Sequence, residues 1–213
     1  AEVRDLMLSI DGGQTVLRDE AGSQALARAV GTLSDGRVGY AQAIGEDEAG
    51  FMPSKYLGLF GLETWGDLAG GSWRLHAEYA DTACDFLSDP PEFGCAYTHS
   101  IYTSGYRYRG RVLGHSMDAD GESTGGGALF IDSRGRRWEL QGRNVKLNRA
   151  GVAAGHTLAG APATVRDLTL AHESSHPWGT IAVSLGYADV DATGPLAVED
   201  GVRGFVTWRH AIR

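Results

Sequence analysis

Residues Ser72–Thr82 read SWRLHAEYADT, and their polarity changes at almost every step. Trp73, Leu75, Ala77 and Tyr79 share one phase, while Arg74, His76, Glu78 and Ala80 share the other. An extended chain sends successive side chains to opposite faces, so this segment predicts a strand with one apolar and one charged face. Such a strand has two homes. In a soluble sandwich the apolar face meets a core; in an outer-membrane barrel it meets lipid and the charged face lines the lumen.

The same period is read, less cleanly, at Val3–Ile10, Gln24–Leu33, Val38–Glu46, Lys55–Trp65, Gly126–Asp132, Arg136–Leu147, Thr164–Glu173, Gly179–Val190 and Gly201–Ala211. The alanines of Gln24–Leu33 also suit a helix, but the turn Ser34-Asp35-Gly36 and the strand after it favour extended chain. Counting Ser72–Thr82, this makes ten strands. Their connections alternate. Ser34–Arg37, Gly66–Gly71, Ser133–Gly135 and Ser174–Trp178 are short; Asp11–Ser23, Asp47–Ser54, Ala83–Gly125, Asn148–Ala163 and Asp191–Asp200 are long. In an antiparallel meander all short turns then fall at one end and all long loops at the other. Bacterial barrels are built this way, with short periplasmic turns and long extracellular loops. An even strand count also puts both ends of the meander on the short-turn side. Trp65, Trp73, Trp138 and Trp178 lie at or near short turns, as a girdle at the periplasmic interface would require. The expected fold class is therefore all-β, an antiparallel up-and-down transmembrane β-barrel. Residues 1–213 form a single outer-membrane domain with a long extracellular or lumenal insertion at 83–125.

Composition removes other classes. Apolar residues make up 42% of the chain, too many for disorder. A net charge of −8 argues against nucleic acid as a partner. No apolar run approaches the ~20 residues of a membrane helix. No basic and then apolar leader pattern stands before Ala1, as expected where a leader has been removed or where the chain is part of a longer protein.

The insertion holds both cysteines, Cys84 and Cys95. In an oxidising compartment they are expected to pair, and closing so small a loop contributes roughly 3 kcal/mol. Beyond them runs YTHSIYTSGYRYRGRVLGH, Tyr97–His115. If extended, it puts Arg107, Arg109 and Arg111 on one face and Tyr102, Tyr106 and Tyr108 on the other. Guanidinium forks match carboxylates, and tyrosine rings cover sugar faces. Three like charges also need acidic neighbours, for which Glu46, Asp47, Glu48 and Glu78 are candidates. The run serves either an anionic ligand or an internal ion-pair network that closes the barrel mouth.

Two motifs do not support chemistry. His172-Glu173-Ser174-Ser175-His176 has the spacing of a zinc-protease helix, but it ends an alternating strand and meets Pro177, so a polar hairpin turn is expected. Asp118-Ala119-Asp120-Gly121 opens like a calcium loop, yet Leu129 stands where the closing glutamate belongs. No catalytic constellation, metal site or cofactor is expected.

The stretches YAQAIGEDEAGFMPSKYLGLFGLE (40–63), AEYADTAC (77–84) and YTHSIYTSGYRYRGRVLGHSMDADG (97–121) resemble the Wzi capsule-assembly family. Weaker similarity continues through RWELQGRNVKLNR and GVRGFVTWRHAIR. The resemblance implies a non-enzymatic outer-membrane β-barrel with lectin-like activity, of which this chain would hold the C-terminal part. Its partners would be capsular or exported polysaccharide, outer-membrane lipid and the barrel assembly machinery. Ligand contact is expected at the mouth, from Arg107, Arg109, Arg111, Tyr106, Tyr108, His99 and His115 of the insertion and from Glu46 and Asp47 at a strand end. A porin-like channel and a secreted soluble β-protein acting on glycans are the alternative readings.

Overall fold

The computed structural model describes residues 3–8, 14–19, 25–34, 36–49, 52–68, 70–98, 105–151, 156–194, 196 and 199–210, with side chains from residue 36 onward except over 46–54. Every regular element among them is a strand: β1 (Val3–Leu8), β2 (Gln14–Asp19), β3 (Ala25–Ser34), β4 (Arg37–Ala49), β5 (Met52–Leu68), β6 (Gly71–Asp81), β7 (Arg107–Tyr108), β8 (Arg111–Val112), β9 (Glu122–Ile131), β10 (Arg137–Leu147), β11 (Ala163–His176), β12 (Gly179–Ala192) and β13 (Gly201–Arg209).

Nine of these form one antiparallel meander in the order β13-β12-β11-β10-β9-β6-β5-β4-β3. Chain neighbours are sheet neighbours throughout, and β6 pairs with β9 across the insertion. The expected antiparallel meander carries all nine. It fails at the start of the chain, where Val3–Leu8 pairs with Gln14–Asp19 in a separate hairpin. Asp11–Ser23 is therefore not one long loop. The apolar run Thr15-Val16-Leu17 favours extended chain and supplies a strand inside it. With nine strands, the sheet begins at the long-connection end and finishes at the short-turn end.

The strands also run further than their apolar cores. Asp47 pairs with Ser54 and Ala49 with Met52, so Asp47–Ser54 is the end of a tall hairpin and not a long loop. Backbone pairing does not stop where hydrophobicity stops, because strands that leave the apolar layer can pair in water. Similarly, β11 continues to His176 and pairs with Gly179, which reduces the expected turn to Pro177-Trp178. The long connections that remain among the described elements are those after β6, β10 and β12.

Register divides the sheet into two faces. Phe60 and Leu62 on β5 stand opposite Tyr79 and Ala77 on β6. Leu75 and Trp73 stand opposite Ala128 and Phe130 on β9, and these in turn meet Leu140 and Trp138 on β10. The apolar row continues through Leu170 and Leu185 to β13, where Val206 faces Val183. Leu75, Leu140, Leu170 and Leu185 are all exposed on this face. A contiguous exposed apolar face of this kind marks a surface that meets lipid or another protein. Trp73, Trp138 and Trp208 belong to it. Trp65 does not: it stands opposite Arg74 on the other face, which removes it from the expected girdle.

The second face is polar and internally paired. Arg74 bonds Glu63 at 2.6 Å, Arg137 bonds Glu139 at 2.6 Å, Arg143 bonds Asp167 at 2.5 Å, and the Tyr40 hydroxyl donates to Glu78 at 2.8 Å. Most of these pairs bridge strands, so each charge meets its opposite across the sheet. The buried residues collect at the long-connection end of this face. One group joins Ala80, Met117, Val145, Leu147, Ala159 and Ala163; another joins Leu57, Cys84, Ala96, Tyr97 and Ala119. Both combine wall residues with residues of the insertion. The insertion is thus folded back against the inner face at that end.

Candidate functional site

The insertion is built from two unlike parts. Its root is buried and dense in polar contacts. The Asp118 side chain is 0% exposed and accepts from Arg107 at 2.8 Å, from the Thr157 hydroxyl at 2.6 Å and from the amides of Thr157 and Ala119. Burial alone would raise this carboxyl. The Thr157 and Ala119 donors and the Arg107 guanidinium outweigh it and hold the pKa below the usual carboxylate value. Arg107 also donates to the Tyr97 carbonyl at 2.7 Å. Asp120 accepts from the Gly94 amide at 2.9 Å, and there burial prevails and pushes the carboxyl up, against Gly94, Arg149 and His156. At the rim, Arg149 bonds Asp81 and Glu122 and lies 5.3 Å from the Phe93 ring centre. A disulfide joins Cys84 and Cys95 across this root, as expected.

The tip is a tight hairpin. Arg107 pairs with Val112 and Tyr108 with Arg111, around Arg109 at φ 50° and Gly110 at φ 74°. Two successive left-handed residues make the primed turn that suits a two-residue hairpin, and Gly110 makes it accessible. This corrects the expectation of one extended run with three guanidiniums on a face. Arg107 and Arg111 occupy different pairs and so opposite faces. Arg107 turns inward to Asp118, not to Glu78, and the side chain of Glu48 lies outside the described residues. Tyr108, Arg109 and Arg111 remain exposed, with the Arg109 guanidinium 5.3 Å from the Tyr108 ring centre. Neither Arg109 nor Arg111 forms an ion pair among the described residues. Tyr106 is 44% exposed and stacks on Tyr97 at 6.3 Å.

Between root and wall lies a chamber of about 500 Å3, inside the range of small-molecule sites. His76 and Glu78 of β6, His115 and Ser116 of the insertion, Gln141 and Arg143 of β10, and Asp167 and Thr169 of β11 line it. His115 is half-buried there and accepts from the Met117 amide at 3.3 Å; burial pushes its pKa down, against the pull of Glu78. With Arg143 matched by Asp167, the chamber offers hydroxyl, amide and imidazole groups beside one carboxylate, Glu78, that accepts from the Tyr40 hydroxyl. That chemistry suits a polyhydroxylated guest more than an anion.

Sequence reasoning named His115 and Glu78 but missed His76, Gln141, Arg143, Asp167 and Thr169. Their signal was available as the polar phase of β6, β10 and β11. The expected mouth residues do not converge on one point: Arg107 belongs to the root, His115 to the chamber, and Tyr108, Arg109 and Arg111 to the tip. His99 lies outside the described residues, and so do the side chains of Glu46 and Asp47. The zinc-like motif is a strand. His172 and His176 share the outward phase, and Glu173 points the other way toward Arg209.

Comparison with known proteins agrees with this architecture. A family model described as capsule assembly protein Wzi matches residues 33–201. Among solved structures, the chain is similar to Wzi of Escherichia coli, described as an outer membrane protein involved in group 1 capsule assembly and a carbohydrate-binding β-barrel. The TM-score is 0.74 at 22% identity. The match covers 92% of this chain and 48% of that one, so this chain spans about half the length of the structure it resembles. No curated protein matches.

Proposed function

This chain belongs to the capsule assembly protein Wzi family, and from that premise we propose that it is an outer-membrane β-barrel protein that binds carbohydrate during assembly or surface attachment of capsular or exported polysaccharide. Its role is binding and not catalysis. The observation that carries the reading is the pairing of an exposed apolar face outside with a chamber inside, beside an insertion whose tip presents tyrosine and arginine that form no ion pair among the described residues. Lipid covers the first, the barrel assembly machinery inserts it, and the glycan meets the second and third. Sugar hydroxyls bond the chamber groups. The rings of Tyr106 and Tyr108 stack on pyranose faces, and Arg109 and Arg111 hold carboxylates where the glycan carries them.

Two experiments test the two halves. Arg109→Ala combined with Arg111→Ala removes exposed groups only, so the protein should insert normally and yet retain several-fold less capsule on cells. Unchanged retention rules out ligand contact at the tip. Ala77→Arg places a charge on the apolar row and should cost roughly 2–4 kcal/mol at mid-membrane depth, read as lost insertion into vesicles. If the variant is as stable as its parent and both remain monodisperse without detergent, the membrane reading is wrong.

A further inference from the structure

The short-turn end of the apolar face carries three histidine–tryptophan pairs that the polysaccharide reading does not use. Trp138 and His172 lie 3.8 Å apart between ring centres. His176 stacks on Trp178 at 4.9 Å with an interplanar angle of 6°. Trp208 and His210 lie 5.9 Å apart. The last four rings gather around Gly179, where even a β-carbon would stand 2.6 Å from the Trp208 indole nitrogen. Trp138, Trp178 and Trp208 are all exposed.

Two of the histidines have a fixed tautomer. Nδ1 of His172 is 3.1 Å from the Arg137 carbonyl, and Nδ1 of His210 is 2.9 Å from the Trp178 carbonyl. A carbonyl oxygen only accepts, so each Nδ1 carries the hydrogen. In the neutral ring Nε2 is then a bare acceptor. Neither Nε2 finds a donor among the described residues. A lone-pair acceptor beside indole faces selects a cation that carries N–H groups, since the ring attracts the charge and the imidazole takes the hydrogen. The neighbouring cations do not oppose this: Arg209 is bonded to Glu173 and Arg137 to Glu139, both in the inward phase.

Depth identifies the cation's source. Along β11 the outward positions between the charged pair Arg166–Asp189, bonded at 2.8 Å, and His176 are Leu168, Leu170, His172 and Ser174. Ten steps of ~3.3 Å at a tilt of ~40° span ~25 Å, the height of a barrel's lipid-facing band. The rings of His176, Trp178, Trp208 and His210 therefore stand at headgroup level, while His172, and Trp138 opposite it, lie ~10 Å deeper.

We infer that Trp178, Trp208, His176 and His210 bind the primary ammonium of a phospholipid headgroup on the periplasmic side. This rests on the reading that the apolar face meets lipid, and the test separates the two. The full chain is first floated with phosphatidylcholine vesicles; failure to float overturns the membrane reading and the site with it. Floating protein is then equilibrated with equal amounts of phosphatidylethanolamine, phosphatidylcholine and phosphatidylglycerol, and bound lipid is read by native mass spectrometry. The ethanolamine lipid should be retained about threefold to tenfold over the glycerol lipid, and above the choline lipid, whose methylated nitrogen has no hydrogen to give. Trp208→Leu with His210→Ala should abolish the preference, and Trp208→Phe, which keeps a ring, should preserve part of it. Equal retention of the three lipids by the unaltered protein, or preference for the anionic one, overturns the site while insertion stands.

Discussion

The root and the tip of the insertion differ in how their charges are treated. At the root, Arg107 and Arg149 are matched by Asp118, Asp81 and Glu122, largely out of water. At the tip, two residues beyond Arg107, Arg109 lies over a tyrosine ring and forms no ion pair among the described residues. Identical side chains in one short run thus serve different ends. Burial obliges an arginine to find a carboxylate within the fold, whereas exposure leaves it available to a ligand. A tight turn between them is enough to separate the roles.

The largest test of this contrast is Asp118→Ala. It strands the Arg107 charge in a buried site and should cost about 3–5 kcal/mol, read as protease sensitivity of residues 83–121 and loss of chamber closure in conductance measurements. Protonation imitates the substitution. The pKa of Asp118 is lowered in the fold, so its stabilisation is complete above the ordinary carboxylate value and is lost as pH falls through the folded value. The root should therefore loosen in acid while the sheet persists. Next comes reduction of Cys84–Cys95, which frees a loop of 11 residues and should cost about 3 kcal/mol of root stability without touching the tip. The smallest effect belongs to Asp120→Asn. The pKa of that carboxyl is raised, so its charge opposes folding at neutral pH, a cost relieved as pH falls through the raised value. The amide should be neutral or stabilising by under ~1 kcal/mol, opposite in sign to Asp118→Ala. Equal losses at 118 and 120 in thermal melts would erase the distinction drawn between them.

Much of the fold was legible because strand alternation is written one residue at a time. Trp73, Leu75 and Ala77 against Arg74, His76 and Glu78 need no knowledge of distant contacts. What escaped depended on context. The pairing of Asp47 with Ser54 carries no apolar signal, since it lies above the greasy layer. The Arg107 partner, Asp118, lies eleven residues away across a hairpin whose turn depends on Arg109 adopting a left-handed conformation, and nothing about an arginine announces that. Trp65 was assigned to the girdle by its nearness to a turn, when its phase, shared with Glu63, already placed it inside. The chamber was missed for a simpler reason: its residues come from β6, β10 and β11 and meet only when the sheet forms.

Glycines on the inner face bear on how far its rings project. The Tyr40 ring lies directly over Gly61, where a β-carbon would approach it to 2.0 Å, and the His76 ring lies against Gly127, where the approach would be 2.7 Å. Both rings rest flat in notches left by the missing methyl groups. Alanine at either position would push its ring away from the sheet without adding any bulky residue. How far these rings stand out from the inner face is therefore set in part by the positions on the wall that carry no side chain.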